Sequence, residues 1–177
     1  MNTQFTRVIE ILKIALIGII GVIEIPLLIG LYNQNSAGEI FGMVVSIFIL
    51  QPLAVAVGLG LGIHPVQVMF IMISFGISVI FVLFGICDMF AERSEWLQQN
   101  LKKIEKITQK SEMFRKYGIY AFIPFIWVPG VGLYGCIMIA WLFKWRSVRA
   151  GAIILSGWIL AALIVLLTSI GIFQIIR

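Results

Sequence analysis

The strongest constraint on the fold is an apolar run over residues 117–145 that is interrupted at its middle by Trp127-Val128-Pro129-Gly130-Val131-Gly132. Proline removes a backbone donor and glycine relaxes the limits on the dihedral angles, so a continuous helix is not expected here. At the depth of a bilayer, broken backbone is tolerated only where protein or a wet cavity satisfies its polar groups. The run therefore predicts a helical hairpin that enters a membrane and returns to the same side.

The composition is that of an integral membrane protein. Hydrophobic residues make up 61% of the 177 residues and charged residues only 12%, which is more apolar side chain than a soluble chain of this size can bury. The net charge of +5 does not indicate a nucleic-acid partner, because the basic residues cluster beside apolar runs, as orienting residues do. The chain has no HExxH or GxSxG motif, no paired aspartates and one histidine. We therefore expect neither an enzyme nor a metal or other cofactor.

We expect one membrane domain, residues 1–177, made of two similar halves. The first half, 7–87, contains a hairpin over 40–63, where Gln51-Pro52 is followed by several glycines. The second half, 117–177, contains the hairpin over 117–145. Each hairpin precedes an uncharged stretch long enough to span a bilayer, which takes roughly 20 residues. The three predicted spanning helices cover 7–32, 66–87 and 150–176.

The stretch over 88–116 is the only part of the chain that looks soluble. Seven basic and five acidic side chains lie in it, and four apolar ones fall on one helical face: Leu97, Leu101, Ile104 and Ile107. This spacing predicts an amphipathic helix that lies against the membrane or the protein.

The basic residues predict the orientation in the membrane. If the 117–145 run is re-entrant, the basic stretches on both sides of it lie on one side, which the positive-inside rule makes cytoplasmic. A second hairpin over 40–63, entering from the other side, also places the N-terminus and Arg7 inside. The predicted fold is all-α, with three spanning helices and two opposed re-entrant hairpins. It forms an inverted repeat in the cytoplasmic membrane whose broken tips meet near the bilayer centre.

Glu24 is the only charged residue between Lys13 and Glu39, so it falls well inside the first predicted span. An isolated carboxylate in hydrocarbon costs on the order of 3 kcal/mol and marks ion or substrate pathways. Glu24 is therefore a candidate for proton or cation exchange. The alternative is a structural side chain that reaches the interface or bonds a serine or a backbone N–H.

The hairpin tips supply the other candidate pathway residues. Opened helix ends at these tips would offer backbone N–H groups and a positive dipole to an anionic head group. The alternative is that the glycines only allow helices to pack closely. In the first hairpin the candidates are Gln51 and Pro52, and in the second they are Trp127, Pro129, Gly130, Gly132 and Tyr134.

Other polar and aromatic residues carry weaker hypotheses. Arg115, Arg146 and Arg149 are candidates for head-group contact, although membrane orientation alone would explain them. His64 precedes Pro65 and has no second histidine or nearby cysteine, so we expect it to cap a helix or a turn. The aromatic side chains expected in the interfacial belt are Trp96, Trp141, Trp145 and Tyr117.

The second half resembles the small multi-drug export protein family, membrane proteins related to the DedA/VTT superfamily. The residues that carry the resemblance are Lys116-Tyr117-Gly118, Ile123-Pro124, Pro129-Gly130-Val131-Gly132-Leu133-Tyr134-Gly135, Ala140-Trp141-Leu142, Gly151 and Gly157. Upstream, the first hairpin of that family is more weakly similar to Pro52-Leu53-Ala54 with Gly58, Gly62-Ile63 and Pro65. The family usually has a glutamate just before its first proline, whereas residues 47–51 contain no acid here. DedA-type proteins usually carry arginine around the second Pro-Gly, and here none is present.

The resemblance implies transport or scrambling, because DedA/VTT relatives move polyprenyl-phosphate carriers or phospholipids across bilayers. The leading hypothesis is a transporter or scramblase for a lipid phosphate. The alternatives are a proton-coupled exporter of drugs or small cations that uses Glu24, and a membrane assembly factor that transports nothing. Three crossings enclose little space, so we also expect a homodimer.

Overall fold

The computed structural model describes residues 2–91, 132–142 and 148–176, and all regular structure in these ranges is helical. Helix α1 covers Asn2–Ile19, a π-helical turn covers Ile20–Glu24, and α2 covers Ile25–Tyr32. Helix α3 covers Ala37–Leu50, a 3-10 turn covers Gln51–Leu53, and α4 covers Ala54–Gly60. The remaining helices are α5 (Pro65–Ala91), α6 (Gly132–Leu142) and α7 (Val148–Ile176).

Within the described residues, four segments are long and apolar enough to cross a bilayer: Val8–Tyr32, Ala37–Gly60, Pro65–Met89 and Arg149–Gly171. Three of them coincide with the spans predicted over 7–32, 66–87 and 150–176. Helix α5 continues through Asp88 to Ala91, so the first residues assigned to the linker belong to this helix. The rest of the predicted amphipathic helix lies outside the described residues, as does the first limb of the 117–145 hairpin.

The segment Ala37–Gly60 reverses direction at its middle. A Cβ built on Gly58 lies 3.0 Å from Met43 Sδ, and one on Gly42 lies 3.5 Å from Leu61 Cδ1. A continuous helix would separate the residues of each pair by more than about 20 Å, at 1.5 Å per residue. Helices α3 and α4 therefore lie side by side and antiparallel. The reversal falls at Gln51-Pro52, where the sequence predicts the tip of the first hairpin.

Helix α5 is the centre of the fold, because it contacts α1, α2, α4, α6, α7 and the π-helical turn. Small residues allow two of these close approaches. A Cβ on Gly76 would lie 3.1 Å from Trp158 Nε1 of α7, and Trp158 is completely buried. On another side of α5, a Cβ on Gly85 would overlap Ile14 of α1.

The connection from α4 to α5 is closed by its own hydrogen bonds. Ile63 N donates to the carbonyl of Gly58 (3.1 Å), and Gly62 N donates to that of Leu59 (3.0 Å). This is a Schellman motif, and it places Gly62 at φ +83°, where glycine is favoured. His64 then caps α5, since its Nδ1 accepts from Val66 N (3.4 Å). The capping role predicted for His64 is confirmed.

Candidate functional site

Gln51 forms the tip of the reversal between α3 and α4. Its backbone adopts φ 55° and ψ −125°, a left-handed conformation that strains a residue with a side chain. Its side chain is only 2% exposed. A strained polar residue in an apolar interior requires compensating contacts. Two hydrogen bonds between this reversal and α6 supply them.

The Gln51 amide reaches across the fold to the start of α6. Its Oε1 accepts a hydrogen bond from Leu133 N at 3.1 Å, in a buried contact between residues 82 positions apart. The first four N–H groups of a helix lack partners within the helix, so Gln51 satisfies one of them. A Cβ on Gly132 would overlap Gln51 Oε1. Gly132 is therefore required by this contact.

A second hydrogen bond joins α6 to the same tip. The carbonyl of Phe48 lies four residues before Pro52, which has no N–H to donate to it. The hydroxyl of Tyr134 lies 3.4 Å from this carbonyl and donates to it, a long distance for an O–H donor. Gln51 and Pro52 of one sequence half thus meet Gly132 and Tyr134 of the other.

The break near Glu24 has a similar structural origin. In the π-helical turn Ile20–Glu24, Ile25 N donates to the carbonyl of Ile20. In this register the carbonyl of Gly21 would need Pro26 N, which carries no hydrogen. Ser74 Oγ of α5 donates to that carbonyl instead, at 2.7 Å. π-Helical turns of this kind occur often at functional sites.

Glu24 itself lies on the outer surface of the protein. Its side chain is exposed, and it makes no hydrogen bond or ion pair with the residues that the structure describes. In particular, no hydrogen bond links it to Gln51 or Tyr134. The sequence grouped Glu24 with the hairpin tips as one pathway. The structure instead places it at a separate, unshielded position on the first span.

Several predicted site residues cannot be placed in the site. Trp127, Pro129, Gly130, Arg115 and Arg146 lie outside the described residues. Arg149 is described and is exposed, in the first turn of α7. The site that can be described therefore consists of Gln51, Pro52, Gly132 and Tyr134, with the backbone atoms that they contact.

Sequence reasoning missed residues that act through distant partners. Trp141, expected in the interfacial belt, is 7% exposed and donates from Nε1 to Asp88 Oδ1 at 2.8 Å. Ser74 was not singled out either, because no local pattern marks a serine as the donor for a carbonyl 53 residues away. The signal available in the sequence is a serine in one apolar helix together with a proline in another, because the proline leaves a carbonyl that needs a donor.

Comparison with known proteins gives one match. Residues 51–164 match the family model of the small multi-drug export protein, and this range begins at Gln51 and includes the described part of α6. No curated protein and no solved structure matches the chain.

Proposed function

Because this chain belongs to the small multi-drug export protein family and is a multi-pass membrane protein, we propose that it is a transporter. We further propose that its substrate is a lipid phosphate, such as a phospholipid or a polyprenyl phosphate, and that the head group crosses near the hairpin tips. The observation that carries this proposal is the contact between the α3–α4 reversal and the start of α6. The reversal of the first hairpin meets the first described residues of α6 there, inside the apolar core.

The lengths of the helices support a re-entrant arrangement. Helix α3 has 14 residues and α4 has 7. At 1.5 Å per residue these two helices are about 21 and 10 Å long, shorter than the hydrocarbon core of about 30 Å. Neither can cross a bilayer alone, which favours a hairpin that ends within it. Discontinuous helices of this kind form substrate sites in many transporters.

The chemistry at the tips suits an anionic head group. The side chains that meet there are all uncharged: Gln51, Pro52, Gly132 and Tyr134. The start of α6 directs N–H groups and the positive end of its dipole toward the tip of the other hairpin. No described carboxylate bonds to this region, so a phosphate would meet no opposing charge there. A small displacement of the Gln51 amide would free Leu133 N for a phosphate oxygen.

Lipid scrambling in vesicles tests this proposal. The purified chain is placed in liposomes that contain a fluorescent phospholipid, and an impermeant reductant then bleaches the outer leaflet. The proposal expects bleaching to proceed past the outer-leaflet half with the unmodified chain. It also expects Gln51→Leu, which removes the buried amide, to slow the second phase. Bleaching that stops at one half with well-folded protein would contradict it.

A second candidate function is proton-coupled export of a drug or small cation. The observation that favours it is the exposed Glu24 carboxylate in the middle of the 25-residue apolar segment Val8–Tyr32. Placing a carboxylate in the hydrocarbon region costs free energy, and Glu24 is the last residue of the π-helical turn. Glu24→Gln should abolish proton-linked export and leave scrambling largely intact. Glu10→Gln is the matched control, because Glu10 is exposed near the start of the same segment.

The alternative of a membrane assembly factor predicts that neither substitution changes any transport signal. The expected homodimer also stays a prediction, and native mass spectrometry of the purified chain tests it. If transport fails while a dimer or another stable complex forms, the assembly factor becomes the better hypothesis.

The orientation is tested separately, by labelling single cysteines from each side of the membrane. In a background without Cys87 and Cys136, cysteines are placed at Ser36, His64, Gln109 and Ser147. Opposed hairpins predict that the first two positions label from outside and the last two from inside. Labelling of positions 109 and 147 from opposite sides would make the 117–145 run a full crossing and remove the structural basis of the transport proposal.

A further inference from the structure

A cavity of about 950 Å³ lies between the end of α2, the α4–α5 connection and the start of α5. Its polar lining comes from side chains without formal charge, and its apolar lining comes from α2 and α5. The polar residues are Tyr32, Asn33, Asn35, His64 and Gln67. This cavity is separate from the tip contact at Gln51.

Gln67 supplies a hydrogen-bond donor to this cavity. Its Oε1 accepts from His64 N at 3.2 Å, so this amide completes the cap of α5. A backbone N–H can bond only to the oxygen, which fixes the orientation of the amide. Gln67 is 9% exposed, and its Nε2 donates to no atom of the described residues. The amide nitrogen is thus the polar atom left for a ligand.

Asn35, which lines the same cavity, carries an acceptor. Its Nδ2 donates to Glu39 Oε2 at 3.5 Å, which fixes this amide with the oxygen turned away from the carboxylate. Asn35 Oδ1 is buried and has no hydrogen-bond partner among the residues that the structure describes. Buried polar atoms are nearly always paired in native proteins. An orphan acceptor and an orphan donor therefore belong to residues that line one cavity.

An apolar groove continues from this cavity along α5. Val66 and Phe70 line both the cavity and a second space of about 200 Å³. The other residues around this second space are Pro65, Met69, Ile73 and Leu166, which are all apolar. Val66 and Phe70 are each more than half exposed. Val66 and Phe70 thus form an apolar surface along which an acyl chain can extend away from a head group bound in the cavity.

We propose that this cavity and groove bind a zwitterionic phospholipid whose head group carries an N–H donor. The electrostatic potential differs between the two amides. Gln67 lies near the start of α5, which is the positive end of a helix dipole, whereas Glu39 adds a negative charge beside Asn35. A phosphate oxygen accepts from Gln67 Nε2, and the ammonium donates to Asn35 Oδ1 once that amide rotates to bring its buried oxygen to the cavity. One acyl chain of the lipid lies in the groove beside Phe70. This site does not depend on the proposed transport function.

Native mass spectrometry of the full chain in detergent micelles tests the proposal. The probes are dioleoyl phosphatidylethanolamine and dioleoyl phosphatidylcholine, which share their phosphate, chains and net charge but differ in the N–H donor. The unmodified chain should bind the ethanolamine lipid more tightly. Gln67→Glu should weaken both lipids by roughly tenfold, because it removes a hydrogen bond to a charged group. Glutamate still accepts from His64 N, so the cap and the thermal stability should be kept.

A second variant tests the role of Asn35 separately from that of Gln67. Asn35→Leu should abolish the preference for the ethanolamine lipid while the choline lipid binds as before. Phe70→Ala should weaken both lipids equally and tests the groove if Asn35→Leu proves unstable. The remote control is Ser156→Ala, on an exposed part of α7.

Three results would overturn the proposal. The first is equal binding of the two lipids to the unmodified chain, and the second is unchanged lipid binding in Gln67→Glu. The third is displacement of the lipid by free phosphoethanolamine at equal concentration, which would show that the acyl chains of the lipid contribute nothing to binding.

Discussion

Replacing Gly132 with alanine tests the contact that joins the two halves. The new Cβ would overlap Gln51 Oε1, and the Gln51 side chain is 2% exposed, so its amide cannot retreat into solvent. Overpacking of a core costs about 1–3 kcal/mol. Separating Gln51 Oε1 from Leu133 N leaves a buried polar pair unmade, for about 1–3 kcal/mol more. We expect Gly132→Ala to lower the free energy of unfolding by about 4 kcal/mol, the middle of the summed range.

The assay is unfolding of the purified chain by SDS in mixed micelles, and a double-mutant cycle makes it specific. In a Gln51→Ala background the amide is absent, so Gly132→Ala should cost less than about 1 kcal/mol. Gly171→Ala in α7 is the control, because no described atom lies within 4 Å of the added Cβ. Alanine in a helix interior is favoured over glycine by about 1 kcal/mol, so this control should be neutral or stabilising.

Two results would refute this reasoning. One is a Gly132→Ala variant as stable as Gly171→Ala. The other is an equal cost of Gly132→Ala with and without the Gln51 amide, which would mean that the steric conflict lies elsewhere.

Three further substitutions probe hydrogen bonds at the ends and breaks of helices, each measured by the same unfolding assay. Tyr134→Phe removes the donor to the Phe48 carbonyl and should cost about 0.5–1.5 kcal/mol, nearer the lower figure because the bond is long. Ser74→Ala leaves the Gly21 carbonyl without its donor and should cost about 1–3 kcal/mol. His64→Ala removes the cap of α5 and should cost about 0.5–2 kcal/mol.

Two of these predictions, Tyr134→Phe and Ser74→Ala, have matched controls in the chain. Tyr32→Phe changes a side chain that is 88% exposed, and Ser156→Ala removes a hydroxyl that bonds only within its own helix. Both should leave the free energy of unfolding unchanged. If Tyr134→Phe matches Tyr32→Phe, or Ser74→Ala matches Ser156→Ala, the hydrogen bond concerned contributes nothing to stability. If His64→Ala is neutral, Gln67 alone caps α5.

The sequence predicts the positions of the spans and of the first reversal because both are local properties. Apolar length sets the spans, and Pro52 with the glycines after it marks the place where α3 must end. The partners of the freed backbone groups are not local. The Phe48 carbonyl bonds to Tyr134, 86 positions away, and no spacing rule identifies such a pair.

The direction of Glu24 could not be predicted for a different reason. After Lys13 the segment Val8–Tyr32 carries no charged residue except Glu24, and apolar residues lie on all sides of the helix there, so the sequence does not define a buried face. The π-helical turn also adds a residue to one turn and shifts the faces of α1 and α2 relative to each other. The sequence likewise marks Gln51 as a hairpin tip beside Pro52, but it does not identify a partner for the Gln51 amide. In the structure its amide oxygen provides the link to α6.

The long-range contact at Gln51 also constrains the order in which the protein can be assembled. A ribosome releases residues 37–60 well before residues 132–134, so the first hairpin is synthesised without the groups that satisfy its tip. During that interval the Phe48 carbonyl and the Gln51 amide oxygen need other donors, from water or from the insertion machinery. The contact between Gln51 and Leu133 N can therefore form only after α6 has been synthesised. Truncation before residue 132 should leave a hairpin that quality-control proteases recognise, although every residue of that hairpin is present.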